Sequence, residues 1–107
     1  RELETVECFD PVSGVWDLLP PMRRARSGAS AAVLAGRIYV CGGHEGQRGL
    51  SSVERFDPSS GIWEAVPSMS FHRAGPAAAT LQGSLLVCGG YVGQQCFNTA
   101  ELFRPGP

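Results

Sequence analysis

The chain has 107 residues, 43% of them hydrophobic, with 14 Gly, 8 Pro and a formal net charge of −1. Balanced charge with no basic face argues against nucleic acid and anionic membrane surfaces as partners. The longest weakly polar run, residues 28–36, is too short and too Ala-rich to span a bilayer, whereas abundant Gly and Pro suit a turn-rich all-β fold.

Taken in chain order, the first legible segment is Val6-Glu7-Cys8-Phe9-Asp10-Pro11 through Gly14-Val15-Trp16. It returns 47 positions later as Val53-Glu54-Arg55-Phe56-Asp57-Pro58 through Gly61-Ile62-Trp63. The same offset carries Val40-Cys41-Gly42-Gly43 onto Val87-Cys88-Gly89-Gly90, and Ala100-Glu101-Leu102-Phe103 opens a third copy of the first segment. One period without insertion or deletion means one supersecondary unit copied in tandem, and a period near 50 points to propeller blades or solenoid turns.

Four short strands are predicted in the complete copy, each bounded by Gly, Pro or Ser. The first is Ser30–Leu34, closed by Ala35-Gly36, and the second is Arg37–Cys41, closed by Gly42-Gly43. The third is residues 52–56, closed by Asp57-Pro58-Ser59-Ser60-Gly61, and the fourth is Ile62–Val66, closed by Pro67. Small side chains in the first strand, and in Ala77–Leu81 of the next copy, place it nearest a crowded axis. Alternation of Val53, Glu54, Arg55 and Phe56 fits a half-exposed antiparallel strand. Gly42-Gly43 and Gly89-Gly90 supply positive φ or close backbone approach, and the Asp57 carboxylate is placed to accept backbone N–H groups in its turn.

The expected organisation is therefore a partial blade over 1–27 (third and fourth strands), a complete blade over 28–74, and a partial blade lacking its outer strand over 75–107. The chain opens at Arg1 in mid-repeat, which predicts a segment of a longer protein. Exposed edges and uncovered apolar faces of an isolated segment predict self-assembly, with three copies closing a six-bladed ring. Cys41 and Cys88, equivalent and inside apolar runs, read as core residues. The four Cys form no C-x-x-C pair and His44 and His72 have no zinc spacing, so no metal or other cofactor is expected. Free thiols favour a reducing compartment, the cytoplasm or the nucleus.

The motif set resembles the kelch repeat: an apolar strand ending in Gly-Gly, then an aromatic residue, then Trp. Residues 38–43 with Phe56 and Trp63 carry it, as do residues 85–90 with Phe103, and Phe9 with Trp16. The chain departs from the family pattern in having Phe rather than Tyr at 9, 56 and 103. It is most similar to the Kelch-like proteins, in which BTB and BACK domains precede a six-bladed propeller. That resemblance implies a β-propeller of four-stranded antiparallel blades. It also implies non-catalytic recognition of a protein substrate or peptide, in a parent that binds a cullin through a BTB domain and serves a ubiquitin ligase. The alternative is a cytoskeletal, actin-binding or scaffolding kelch protein with no ligase role. A copper oxidase, the enzymatic variant of the fold, needs Tyr, His and a cross-linked Cys at the axis, whereas Tyr39 reads as core.

Binding is expected on the rim that gathers the loops joining second to third strands and the loops joining blades. The first kind supplies His44, Arg48, Tyr91, Gln94 and Gln95; the second supplies Arg23, Arg24, Arg26, Ser27, His72 and Arg73. Arg23, Arg24 and Arg26 together suit bidentate grip of carboxylate or phosphate. Because Arg26 and Arg73 recur at one repeat position, they also fit a scaffold role, as do Glu7, Glu54 and Glu101 pairing with neighbouring arginines. Trp16 and Trp63 read as packing between blades. The resemblance matches Ser27 to a recurrent family serine, but its mate is Ala74. Where acidic-peptide binders carry Arg before the third strand, this chain has Gly49 and Cys96, which speaks against a strongly acidic ligand.

Overall fold

A computed structural model describes residues 3–106. All regular structure is β, and nine five- or four-residue strands fall into three antiparallel sheets. β1 (Val6–Asp10) pairs with β2 (Val15–Leu19). The complete blade takes the order β3 (Ser30–Leu34), β4 (Arg37–Cys41), β7 (Val53–Asp57), β8 (Ile62–Val66). Between β4 and β7 stand two-residue strands, β5 (His44–Glu45) and β6 (Arg48–Gly49), paired as a miniature hairpin. The last sheet comprises β9 (Ala77–Leu81), β10 (Ser84–Cys88) and β13 (Ala100–Phe103), with β11 (Tyr91–Val92) and β12 (Gln95–Cys96) as its own miniature hairpin.

The register repeats with the sequence. Ile38 faces Phe56 and, 47 residues on, Leu85 faces Phe103. The third strand lies one residue later than the pattern suggested, because Asp57 still pairs with Ile62 before its turn begins. In that turn the Asp57 carboxylate accepts the Ser59 N–H at 2.9 Å, and Asp10 accepts the Val12 N–H at the same distance. The β3–β4 and β9–β10 turns place Ala35 (φ 52°) and Gln82 (φ 49°) ahead of glycines at φ 75° and 78°. Two successive positive φ values make a type I′ turn, whose twist matches that of the flanking strands.

Blades are stitched by backbone hydrogen bonds that obey the same offset. The Met22 N–H donates to the Glu4 carbonyl at 2.8 Å and the Met69 N–H to the Ser51 carbonyl at 2.9 Å; Arg26 N–H to Leu3 and Arg73 N–H to Leu50 repeat the relation at 3.0 Å. Toward the axis the Gly43 N–H donates to the Arg73 carbonyl (2.8 Å) and the Gly75 N–H to the Gly28 carbonyl (2.7 Å). A Cβ at Gly42 would collide with that Arg73 carbonyl, and one at Gly43 would stand 2.8 Å from the Ser27 carbonyl. The glycine pair is thus required by close backbone approach, of Arg73 at Gly42 and of Ser27 at Gly43, as well as by positive φ. The core lies between the second and third sheets: Leu34, Tyr39, Cys41 and Val53 from one, Leu85 and Val87 from the other. Tyr39 is buried as expected, 6.3 Å from the Phe103 ring, and its hydroxyl accepts from the Arg55 guanidinium at 3.0 Å. Of the two cysteines read as core, Cys41 is fully buried and Cys88 half-buried. Burial in this apolar seam pushes the Cys41 thiol up to about 11, against a smaller opposing pull from Arg26.

Two expectations are corrected by the first sheet. Trp63 packs between blades, its indole N–H donating to the Pro20 carbonyl at 2.8 Å. Trp16 does not: among the described residues its ring stacks on its own hairpin partner Phe9 alone, and it stays 62% exposed. Glu7 likewise makes no ion pair among the described residues, whereas Glu54 and Glu101 each hold an arginine.

Candidate rim site

Arg26 and Arg73 are clamps. The Arg26 guanidinium donates to the Gly42 carbonyl (2.7 Å), the Ser52 carbonyl (3.0 Å), the Ser52 hydroxyl (2.8 Å) and the Glu54 carboxylate (3.1 Å). Arg73 repeats the set on Gly89, Thr99 and Glu101 at 2.7 to 3.4 Å. Each clamp ties the end of the second strand to the start of the third, bridging the chain that detours through the miniature hairpin. The residues are 7% and 0% exposed, respectively. This removes both from the candidate binding surface: their donors are consumed inside the blade, which is why they recur. Phe71 and Phe97, their ring centroids 5.5 Å apart, lie side by side against the Arg73 guanidinium at 5.6 and 5.7 Å.

The arginine cluster consequently divides. Arg26 is spent on Glu54; Arg24 is exposed and pairs with Glu45 at 3.3 Å. Arg23 contributes its backbone N–H to Glu54 at 2.7 Å, and its guanidinium has no ion pair among the described residues. The cavity beside them, about 580 Å³, is lined by Glu4, Glu45 and Glu54 as well as by the three arginines. Opposite charges balance there, so the cluster lacks the positive excess that anion capture needs.

The segments expected as loops after Gly-Gly are the two miniature hairpins. Gly46 and Gly93, at φ 63° and 60°, occupy the first position of two-residue turns, as type II′ turns require. Each hairpin is bolted to the entry of an innermost strand. Ser27 and His44 exchange both backbone hydrogen bonds (2.9 and 2.7 Å), and Ala74 and Tyr91 repeat the exchange (both 2.9 Å). Since backbone does the bonding, the Ser27/Ala74 difference costs the fold nothing.

Between the hairpins opens a cavity of about 340 Å³ lined by His44, Gly46, Gln47, Gly49, Ala74, Tyr91, Val92 and Gly93. The His44 ring lies over Gly28 and the Tyr91 ring over Gly75, so that a Cβ at those glycines would meet them at 3.5 and 3.1 Å. Of the predicted rim residues, the structure brings His44 and Tyr91 to this cavity. Gln94 and Gln95 sit on the turn and return strand of the second hairpin and are exposed; Arg48 is exposed on the first. His72 is exposed and borders Gly49, its Cβ 3.3 Å from a Cβ built there. Sequence reasoning missed Gln47, Val92 and the glycine floor. The signal was available: Gly46 and Gly93, one period apart, each centred between equal flanks.

The Kelch motif model matches residues 1–23, 25–70 and 72–106. Over 44 residues, 41% of this chain, it is 50% identical to the influenza virus NS1A-binding protein homolog of Mus musculus; that stretch is 7% of the relative. Kelch-like protein 28 of Mus musculus is 42% identical over 43 residues (40% of this chain and 8% of the relative). Kelch-like protein 35 of Mus musculus is 43% identical over 51 residues (48% and 9%). The alignments thus span less than a tenth of these relatives. With its four-stranded blade, Gly-Gly seams and Trp63 anchor, and with the motif matched along nearly the whole chain, this protein-interaction module belongs to the kelch-repeat family.

Proposed function

We propose that the chain is part of the partner-recognising propeller of a cytoplasmic substrate adaptor for a cullin-based ubiquitin ligase, and that the partner protein seats on the rim between β5–β6 and β11–β12. The observation that carries the rim assignment is the open cavity between two rigidly bolted hairpins, a concave site on a fixed scaffold. Likeness to Kelch-like proteins supports the adaptor role. The test is co-precipitation from cells of the protein expressed through its full reading frame, probed for a cullin and for filamentous actin. Cullin recovery supports the adaptor. Recovery of actin without cullin overturns it in favour of a cytoskeletal protein.

A further inference from the structure

The rim cavity has a chemical character of its own. None of its eight lining residues is Asp, Glu, Lys or Arg, although charged side chains stand beside it on the first hairpin. Glu45 on β5 is held by Arg24 and faces Arg48 across the miniature hairpin. Inside, the surfaces are two aromatic rings, Val92, the Gln47 amide and glycine backbone. Glycine at 75 leaves room for the Tyr91 ring, which a Cβ there would meet at 3.1 Å, and the His44 ring packs against Gly28. The volume, about 340 Å³, stands at the lower end of ligand pockets and admits one or two side chains rather than a whole folded surface.

We propose that this cleft receives an uncharged, aromatic-bearing segment of the partner, stacked against His44 and Tyr91 with its backbone lowered onto the glycine floor, and held without ion pairs. The inference rests on the rim reading above and specifies its ligand. Half-exposed rings give an aromatic guest a face or edge to pack on. Carboxylates are disfavoured because no Lys or Arg lines the cleft and a buried, unpaired charge is expelled. The balanced Arg/Glu cavity at residues 23–26 offers an acidic guest no better seat.

A phage-displayed heptapeptide library selected on the folded chain provides the probe. Enriched peptides should be rich in Trp, Tyr or Phe and poor in Asp and Glu. Their affinity should change by no more than about twofold between roughly 50 and 500 mM NaCl, since no exposed ion pair is there to be screened. Tyr91→Ala should weaken them about tenfold or more. Gln47→Glu, at an exposed position that leaves folding intact, should weaken them about fivefold by setting a carboxylate in the cleft. Val12→Ala, at the exposed tip of the β1–β2 hairpin, should leave them unchanged. Acidic, salt-sensitive peptides that still depend on Tyr91 overturn the uncharged-ligand inference and leave rim recognition standing. Peptides indifferent to both Tyr91→Ala and Gln47→Glu, or no enrichment at all, overturn both.

Discussion

The β1–β2 and β7–β8 hairpins are nearly the same sequence in two surroundings. Both carry the Asp-Pro turn with its carboxylate cap. Both set Phe on Trp with ring centroids 5.1 Å apart, at interplanar angles of 43° and 41°. Yet Phe9 is 43% exposed against 4% for Phe56, Trp16 62% against 7% for Trp63, and Glu7 makes no ion pair among the described residues where Glu54 is gripped by Arg26. Local geometry is therefore written into the hairpin, while burial and ion pairing are conferred by the sheets beside it. The aromatic pair forms without a neighbour; the indole N–H bond to Pro20 cannot.

That contrast can be broken or sharpened by experiment. The largest expected difference is in thiol chemistry: near pH 8, iodoacetamide should modify exposed Cys8 on the order of a hundredfold faster than Cys41, whose thiol is held up to about 11 by burial. Mass spectrometry of the peptides reads it, and comparable rates would show that the seam between the blades is open. Next, Trp63→Ala should cost about 3–5 kcal/mol of unfolding free energy in urea, and Trp16→Ala about 1 kcal/mol or less. Equal costs would mean that the hairpin, rather than the blade junction, provides the stability. Glu54→Gln should cost about 3 kcal/mol because it leaves the Arg26 cation buried, against about 0.5 kcal/mol or less for Glu7→Gln.

The second clamp adds a pH signature. Burial raises the Glu101 carboxyl, but the Ser70 N–H and the Arg73 guanidinium outweigh it and hold the group below its ordinary 4.5. A folded value below the unfolded one favours the ionised form in the folded state. Its contribution is thus complete above about pH 4.5 and is lost as pH falls through the lower folded value. Glu101→Gln should flatten that acid limb of stability measured by urea midpoint, and an unchanged limb would show that the clamp carries no such linkage. Smallest is the effect of Ala35→Asn or Gln82→Asn, each expected to add about 0.5 kcal/mol by suiting the left-handed turn position. Equal gains at both would confirm that these turns are local, whatever stands beside them.

Most of the blade was legible. Four strands per period, the Gly-Gly seams, Tyr39 in the core and the Asp-Pro turn followed from alternation, turn chemistry and recurrence, because each is decided within a few residues. The rim site was legible only in part. His44 and Tyr91 were found by their place after Gly-Gly, but the miniature hairpins were read as loops, two-residue strands being too short to show any alternation. The arginines were also legible in part: recurrence of Arg26 and Arg73 pointed to a scaffold role, but nothing local reveals which glutamate is held, since Glu54 lies 28 residues from Arg26.

By itself, then, the sequence determined the repeat, the four long strands of a blade and their turns, since a fixed period forces every copy into one register. Only the tertiary structure decided which copy of each residue is buried, which arginines are spent and which cleft is left without charge. Those properties depend on what packs against a blade. An adjacent sheet excludes water from Trp63 and Glu54 and leaves Trp16 and Glu7 in it, although the residues are the same.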